Sequence, residues 1–253
     1  MKYAFAGDRE ISVIILSFLM SKGYNPSALL LSKTNKSSHA EILIEKSGLE
    51  KKFIFRGSDF KNNLVQLQSM GLDYIFGIHF PYIIPIEFLN IPKIGFLNLH
   101  PAYLPFNKGW HTPSWAIIDN TPIGATLHFM SERLDEGDII HQKSINVEID
   151  DTANSLYQKL LKLEEDVFKE AFSDIEMLRP HRIRQKDTGT THFKNDLEKI
   201  RYIRLDEKST FKEFLNKIRA LSTNDDNELA YFVKGGNKIG VKISFVKLSD
   251  DDK

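Results

Sequence analysis

Two polar side chains suited to acyl transfer stand close together near the middle of the chain. Asn98 and His100 are two residues apart in the apolar run 96–100, which Pro101 then breaks. Alternate residues of a strand share one face, so both side chains leave the same side of the predicted sheet. An imidazole handles a proton near neutral pH, and an amide N–H donates to a carbonyl oxygen that gains charge. The pair therefore predicts acyl-transfer chemistry.

A carboxylate follows after the next predicted strand. The run Leu134-Asp-Glu-Gly-Asp138 comes after the apolar segment 125–130. Asp135 could orient His100 or share a water molecule with it, as a third group does in many acid–base sites. The alternative interpretation is an ordinary polar turn for Asp135 and a structural histidine for His100.

Short apolar runs alternate with amphipathic segments over the first two thirds of the chain. Strands are predicted at 2–7, 28–31, 53–55, 74–78, 96–100, 125–130 and 139–147, and helices at 11–20, 39–47, 59–70 and 152–167. This alternation is typical of an α/β fold, a mostly parallel twisted sheet with helices on both faces. Asn98 and His100 then lie at the carboxyl edge of the sheet, where such folds bind ligands.

A polar stretch at 180–196 predicts a linker, which divides the chain into a catalytic domain, 1–185, and a small C-terminal region, 186–253. In that region we expect a helix at 209–221 and a hairpin with strands 229–234 and 238–245 around Gly235-Gly-Asn237. Its apolar residues occupy odd-numbered positions: Leu229, Tyr231, Val233, Ile239, Val241, Ile243 and Phe245. A lone hairpin is marginal in water. We therefore predict a homodimer through this hairpin, with packing onto the chain's own catalytic domain as the alternative.

Composition excludes several classes of function. Lysine plus arginine equals aspartate plus glutamate, 34 each, so no basic field favours nucleic acid or a membrane surface. The absence of cysteine excludes disulfides, zinc ribbons and thiol nucleophiles. The apolar run 11–20 is shorter than the ~20 residues that span a bilayer, and Asp8 and Glu10 are unlike a signal peptide. The expected location is the cytoplasm.

The first turn, Gly7-Asp-Arg9, follows the first strand and precedes the first helix. A dinucleotide-binding turn would carry three glycines, and one is present, so a nicotinamide or flavin site is rejected. A strand, a glycine turn and a helix N-terminus still favour an anion, and Arg9 adds a charged donor. The alternative is a plain tight turn with a solvated arginine.

The run Asn98-Leu-His-Pro-Ala-Tyr-Leu-Pro105, with Arg133-Leu-Asp-Glu-Gly-Asp138 about 35 residues later, resembles the folate-dependent formyltransferases. That family includes glycinamide ribonucleotide transformylase and methionyl-tRNA formyltransferase. The runs 108–117 and 121–129 resemble in particular the nucleotide-sugar N-formyltransferases, which make formamido sugars for bacterial surface polysaccharide. The resemblance implies Asn98, His100 and Asp135 as the catalytic set. It also implies 10-formyltetrahydrofolate as co-substrate, no metal, and an amine on a nucleotide-linked sugar, with thymidine diphosphate as the carrier.

The same resemblance, with the local sequence, suggests where the ligands bind. For the folate we expect Phe80, Tyr82, Ile83, Met130, Arg133 and Leu134; for the nucleotide sugar we expect Gly7, Asp8, Arg9, His79, Lys108, Trp110 and His111. Loop packing is the alternative for the aromatic residues, and His128 is predicted to be structural. The rival activities are formylation of glycinamide ribonucleotide or methionyl-tRNA, hydrolysis of formyltetrahydrofolate, and a non-catalytic module on the same fold.

Overall fold

A seven-stranded sheet organises the computed structural model, which describes residues 1–33, 39–57, 59–186 and 188–248. The strands are β1 (Tyr3–Gly7), β2 (Ala28–Leu31), β3 (Ile54–Arg56), β4 (Tyr74–Ile78), β5 (Gly95–His100), β6 (Lys108–Gly109), β7 (Ile123–Phe129), β8 (Ile139–Ile145), β9 (Thr191–His192), β10 (Ala230–Lys234) and β11 (Asn237–Val241). The large sheet has the order β3-β2-β1-β4-β5-β7-β8. Neighbouring strands are parallel from β3 to β5. β7 is antiparallel to β5, and β8 is antiparallel to β7. The predicted mostly parallel sheet is confirmed.

Helices cover both faces of this sheet, as predicted. They are α1 (Arg9–Ser21), α2 (Ala40–Ser47), α3 (Leu64–Ser69), α4 (Ile86–Leu89), α5 (Thr112–Asp119), α6 (Ala153–Glu176), α7 (Glu198–Arg201) and α8 (Phe211–Ala220). One apolar core lies between the sheet and α1, α2, α5 and α6, and a second lies under α3 and α4. No helix within the described ranges is long and apolar enough to cross a membrane.

Helix α6 is the longest cover of the sheet, and its sequence explains its position. The Thr152 hydroxyl accepts from the Ser155 amide at 3.1 Å, and the Ser155 hydroxyl accepts from the Thr152 amide at 3.0 Å. This reciprocal cap begins the helix. Leu156, Leu160 and Val167 recur at helical spacing and are fully buried. The helix therefore presents one apolar stripe to the sheet, and truncation of Leu160 to alanine would cost ~2–5 kcal/mol.

The strand order places a topological switch point between β1 and β4. The chain leaves β1 toward β2 on one side of the sheet and later continues through β4 on the other side. β1 ends at Gly7, β4 at Ile78 and β5 at His100, so these carboxyl ends meet at one edge. Open α/β sheets bind ligands in the crevice at such a point. The fold therefore brings the first turn and the Asn98–His100 segment to the same edge.

The C-terminal region packs against α5 of the same chain. Trp115 is buried with Leu197, Ile218, Leu221 and Ala230 in a separate apolar cluster. The guanidinium of Arg219, a residue that is 7% exposed, donates to the carbonyl oxygens of Glu148 at 2.9 Å and Asp151 at 3.0 Å. One side of the region thus packs onto the chain's own catalytic domain. This packing was the alternative to the predicted homodimer, and it leaves the other side of the region available.

The register of the C-terminal hairpin corrects one prediction. Its turn is the two-residue pair Gly235-Gly236, both at positive φ, and β10 pairs with β11 as Lys234↔Asn237 and Val233↔Lys238. Directly opposed residues share a face, so odd positions of β10 lie beside even positions of β11. The prediction of one apolar face made of odd-numbered residues is therefore wrong. Both faces carry apolar side chains: Tyr231 and Val233 on one, and Ala230, Phe232, Ile239 and Val241 on the other.

Candidate active site

The three residues predicted to form the catalytic set lie together. Asn98 and His100 extend from the same face of β5, and Asp135 reaches them from the loop after β7. The Asn98 amide Nδ2 donates to Asp135 Oδ1 at 3.3 Å, and His100 Nε2 lies 3.5 Å from Asp135 Oδ2. The side chains of His100 and Asp135 are 9% and 8% exposed, so the cluster is largely shielded from water.

Asp135 is held as an acceptor. Its Oδ2 accepts a hydrogen bond from the Gly109 amide at 2.9 Å. Burial raises the pKa of Asp135, but the His100 and His128 imidazoles, the Gly109 N–H and the Asn98 amide together bring that pKa below its ordinary value. Asp135 is therefore a carboxylate at neutral pH, able to hold a donor on His100.

His128, predicted to be structural, is a buried partner of the catalytic set. It lies opposite Asn98 across β5 and β7, and it is 1% exposed. Burial lowers the pKa of His128 to about 4, although Asp135 acts in the opposite direction. The neutral ring lies 2.8 Å from the Phe129 carbonyl through Nδ1, which must carry the proton, so Nε2 accepts from Asn98 Nδ2 at 3.2 Å. His128 thereby fixes the orientation of the Asn98 amide.

The donors on His100 and Asn98 are engaged by long contacts. His100 Nε2 faces two acceptors, the Asn107 carbonyl oxygen at 3.4 Å and Asp135 Oδ2 at 3.5 Å, so this nitrogen carries a proton. The Asn98–Asp135 bond is also long, at 3.3 Å. Hydrogen bonds in this range are weak. Both N–H groups can therefore be given up to an oxygen that develops negative charge between them.

The predicted linker is part of this site. We call residues 185–186 and 188–194 the strap. Its Thr190 carbonyl accepts from the Lys108 amide at 2.9 Å, and its His192 carbonyl accepts from the Trp110 amide at 3.0 Å. Gly189 passes so close to Pro105 that a Cβ would lie 2.1 Å from the Pro105 carbonyl oxygen. The strap thus runs against the loop 105–111 beside Asp135, a contact that a polar composition does not reveal.

In the first turn, Gly7 and Asp8 have local structural partners. Gly7 ends β1, and a Cβ there would lie 2.9 Å from Ser12, so close packing requires the glycine. Asp8 Oδ1 accepts from the Arg9 amide at 2.8 Å, and Asp8 Oδ2 accepts from the Ser32 hydroxyl at 3.1 Å. A carboxylate of the chain itself therefore caps α1, and Arg9 is exposed, so its predicted contact with an anion stays a prediction.

His79 lies across the switch point from this turn, directly after β4. Its Nε2 is 2.8 Å from Oε1 of Glu164 on α6, and the Glu164 side chain is fully buried. The second carboxylate oxygen, Glu164 Oε2, has no hydrogen-bond partner within the described residues. On the same face of α6, burial raises the pKa of the Tyr157 hydroxyl, and the neighbouring Arg9 guanidinium acts in the opposite direction. Arg9 and His79 therefore both lie beside α6.

Backbone strain marks the predicted site residues. In the described part of the chain, seven non-glycine residues have positive φ, and four of them belong to the predicted site: Arg9, His79, His111 and Asp135. A fifth, Asn107, supplies the carbonyl that faces His100. Each such conformation costs ~1–3 kcal/mol and is concentrated at ligand sites in other proteins. Asn107 is a residue that the sequence interpretation missed.

Lys108, Trp110 and His111 lie on the loop beneath the strap. Lys108 Nζ forms an ion pair with Glu136 at 2.7 Å. Trp110 is 37% exposed, and an ammonium group of the strap lies 5.2 Å from its ring. His111 Nδ1 is 3.5 Å from Glu228 of the C-terminal region. His111 thus joins the loop to that region, and its predicted contact with a substrate stays a prediction.

The residues predicted for the folate fall into two groups. Phe80 and Tyr82 have ring centroids 5.1 Å apart and pack, with Met130, against the core under α3 and α4. Exposed side chains make up the second group: Ile83 is 89% exposed and Leu134 is 45% exposed, while Arg133 pairs with Glu136 at 3.5 Å in solvent. The first group is partly buried against the core and the second is exposed, and contact of either group with a folate stays a prediction.

Family models match two parts of the chain. Residues 23–172 match the model of the formyl transferase family, which is more than half of the 253 residues. Residues 196–247 match the N-formyltransferase dimerization C-terminal domain. The second match begins two residues after the strap ends, so most of the C-terminal region is a unit of known type.

Individual proteins agree with these models. The dTDP-4-amino-4,6-dideoxyglucose formyltransferase of Mycobacterium bovis is 34% identical over 154 residues, which are 60% of this chain and 65% of that protein. The methionyl-tRNA formyltransferase of Lysinibacillus sphaericus is 30% identical over 202 residues, 76% of this chain and 64% of that protein. The chain thus spans less than two thirds of the length of these relatives.

A solved structure extends the likeness to nearly the whole chain. The crystal structure of a 4-N formyltransferase from Francisella tularensis is 27% identical and superposes with a TM-score of 0.83, over 98% of this chain and 99% of that one. The sheet order, the C-terminal hairpin and the family match at 23–172 describe one fold. This chain belongs to the formyl transferase family.

Proposed function

We propose that the chain transfers a formyl group from 10-formyltetrahydrofolate to the amine of a nucleotide-linked amino sugar. The observation that carries the proposal is the cluster of Asn98, His100 and Asp135 beside the switch point, with two N–H donors in long, replaceable contacts. This is the arrangement that acyl transfer needs, because charge develops on the carbonyl oxygen. The family of the chain and the residue pattern of the resemblance favour formyl as the acyl group.

The folate supplies an activated formyl carbon, and the chain supplies donors and a base. His100 Nε2–H and one N–H of Asn98 donate to the formyl oxygen as it gains charge. A bond forms between the amine nitrogen and the formyl carbon while the bond from that carbon to the donor nitrogen breaks. The amine loses one proton and the donor nitrogen gains one. Asp135 Oδ2 lies 3.5 Å from His100 Nε2, and this carboxylate of the cluster receives the amine proton.

For the nucleotide diphosphate we propose the crevice between β1 and β4. Arg9 and His79 stand at the two strand ends, on opposite sides of the switch point. A guanidinium and an imidazole there are suitable donors for phosphate oxygens. The buried Glu164 fixes the His79 ring at 2.8 Å. Trp110 is the proposed stacking surface for the sugar or the base, with Lys108 and His111 beside it, and Gly7 and Asp8 shape the turn that presents Arg9.

For the folate we propose the surface formed by Phe80, Tyr82 and Met130, with Ile83, Leu134 and Arg133 at its exposed margin. Aromatic rings offer a flat apolar contact for a pterin. The loop after β7 carries Arg133, Leu134 and Asp135, so a folate seated there would bring its formyl group to the catalytic cluster.

The sugar acceptor is favoured over transfer RNA by two observations. The chain has equal numbers of basic and acidic residues, whereas polynucleotide-binding surfaces are usually basic. Its C-terminal region matches the dimerization domain of N-formyltransferases. Methionyl-tRNA is the second candidate acceptor, because one relative is a methionyl-tRNA formyltransferase. With a thymidine-diphosphate carrier, we propose that the product enters the formamido sugars of a surface polysaccharide such as O-antigen.

We also propose a homodimer formed by the C-terminal region. Packing on Trp115 covers one side of this region, and large apolar side chains stay exposed elsewhere on it: Leu205 65%, Phe211 78%, Phe214 42%, Val233 46% and Ile239 41%. A second copy of the chain would cover these side chains. The match to a dimerization domain supports this occupant.

An acceptor screen tests the proposed function. The protein is incubated with 10-formyltetrahydrofolate and, in parallel, dTDP-4-amino-4,6-dideoxyglucose, a 3-amino analogue, glycinamide ribonucleotide and methionyl-tRNA. Mass spectrometry should show the added formyl group on a nucleotide sugar, and His100→Ala should abolish it. Formyl transfer confined to methionyl-tRNA, or formate released at the same rate without any acceptor, would contradict the proposal.

A further inference from the structure

The loop that carries Asp135 adopts a backbone path that needs outside support. Asp135 has a φ of +53°, a left-handed conformation that is costly for a residue with a side chain. Two residues later, Gly137 passes so close to the preceding strand that a Cβ would lie 1.8 Å from the Phe129 carbonyl oxygen. The loop is therefore tightly bent, and its backbone carbonyls need partners.

Gln185 supplies those partners. Its Nε2 donates to the carbonyl oxygens of Asp135 and Gly137, at 2.8 Å each, so both hydrogens of one amide hold the two sides of the bend. Gln185 Oε1 is buried without a hydrogen-bond partner within the described residues. An unsatisfied buried acceptor costs ~1–3 kcal/mol. The amide of Gln185 is therefore explained by its two N–H donors and not by its oxygen.

The same strap supports the carboxylate of Asp135 from the other side. Gly109 donates its amide to Asp135 Oδ2, and Gly109 lies on β6, which pairs with β9 of the strap. The Lys108 amide adds a hydrogen bond to this pairing, because it donates to the Thr190 carbonyl at 2.9 Å. The strap thus fixes the backbone of Asp135 through Gln185 and its side chain through β6.

We propose that Gln185 is a positioning residue for Asp135 in formyl transfer, a role that rests on the proposed function. Gln185 donates to two backbone carbonyls of the loop and acts through the Asp135 carboxylate, which that loop positions. Loss of its two N–H donors frees the bend, and Asp135 moves away from the Gly109 amide and from the imidazoles of His100 and His128. Misplacement of a catalytic group by about 1 Å can cost ~100-fold in rate.

The test uses Gln185→Met, which keeps the length of the side chain and removes both donors. Arg184→Met, at the exposed neighbouring position of the chain, is the matched control. The first readout does not need activity: the carboxyl carbon of Asp135 is titrated by NMR in the full chain. The Gly109 amide and the two imidazoles depress this pKa, so Gln185→Met should raise it toward the ordinary value, and Arg184→Met should leave it unchanged.

The second readout is kinetic. Gln185→Met should lower kcat by ~10- to 100-fold, with KM for the amino sugar within about twofold of the parent's. In an Asp135→Asn background the Gln185 change should add little, because residues that act through one group are not additive. An unchanged Asp135 titration would overturn the positioning role, and so would a full additional loss in the double variant. An inactive parent with a shifted titration would count against the proposed function alone.

A variant that loses kcat by failing to fold is recognised by its melting temperature. Gln185→Glu provides a second, folded comparison, because its carboxylate keeps the shape of the amide but faces two carbonyl oxygens. It should raise the Asp135 pKa at least as far as Gln185→Met does. A Gln185→Glu protein with parental kcat and a parental Asp135 titration would contradict the proposal.

Discussion

Asn98 and His128 face each other across β5 and β7, with Asn98 Nδ2 3.2 Å from His128 Nε2. The contact requires a neutral imidazole, because a protonated Nε2 would have no lone pair for the amide. Burial keeps it neutral by lowering the His128 pKa to about 4. The orientation of a proposed catalytic amide thus depends on the protonation state of a histidine that does not touch the reacting atoms.

This dependence predicts how stability changes with pH. The unfolded chain binds a proton at His128 below an ordinary pKa of about 6.5, whereas the folded chain does so below about 4. Between these values the unfolded state holds more protons, so the free energy of unfolding falls as the pH drops from about 6.5 to about 4. The loss from this one group is on the order of 3 kcal/mol.

Urea unfolding at a series of pH values measures this loss. In His128→Gln the slope of unfolding free energy against pH should decrease over this window. His181→Gln, at a side chain that is 76% exposed, should keep the parental slope. An identical slope in His128→Gln and the parent would show that His128 is not the group responsible.

Mutation of the catalytic set should separate chemistry from folding. Asn98→Ala and His100→Ala each remove a donor from the formyl oxygen, which typically costs ~100-fold or more in turnover. Asp135→Asn should be impaired nearly as much, because an amide cannot hold or accept a proton as the carboxylate does. Formyl-transfer rates and circular dichroism of the three variants, with His181→Ala as control, provide the check. If a folded Asn98→Ala or His100→Ala variant kept most of its turnover, that residue would not be a donor to the formyl oxygen.

The sequence predicted the elements that local pattern determines. The strands from β1 to β8 that build the large sheet, the long helix after Thr152 and the placement of Asn98 and His100 at a sheet edge all follow from runs of apolar residues and the residues that cap them. These signals lie within a few positions of one another along the chain. Asn98 and His100 were predictable as a pair because they share one strand, whereas the assignment of Asp135 to the same set came from the resemblance of the two motifs to the folate-dependent formyltransferases.

Features that depend on pairing between distant segments were not predictable. His128 and Asn98 become partners through the β5–β7 register, and Gln185 meets Asp135 through a strap fifty residues away in sequence. The hairpin shows the same limit on a smaller scale. A turn of two residues instead of three moves the odd positions of β10 and β11 to opposite faces, so the error in its apolar face came from one residue of turn length.

The anion site proposed at the switch point makes a kinetic prediction. Arg9→Ala removes the cation that the first turn offers, so KM for the nucleotide sugar should rise about tenfold, the effect of losing ~1.4 kcal/mol of binding. KM for the folate should stay within about twofold, because the proposed folate surface lies under α3 and α4. Arg179→Ala, at an exposed arginine after α6, is the control. A rise in the folate KM alone would reverse the assignment of the two sites.

The C-terminal region makes the prediction about assembly. Phe211 on α8 is 78% exposed and Val233 on β10 is 46% exposed, although both lie in a region whose other side is packed on Trp115. Truncation near residue 205 would expose Trp115 as well as remove the proposed interface, so point variants are the sharper test. Phe211→Glu and Val233→Glu place a charge in an apolar contact and should shift a dimer to monomer in sedimentation velocity at micromolar concentration. Lys212→Glu, next to Phe211, should stay dimeric with an unchanged melting temperature. A monomeric parent chain, or a dimer that survives both apolar-to-charge variants, would rule out this interface.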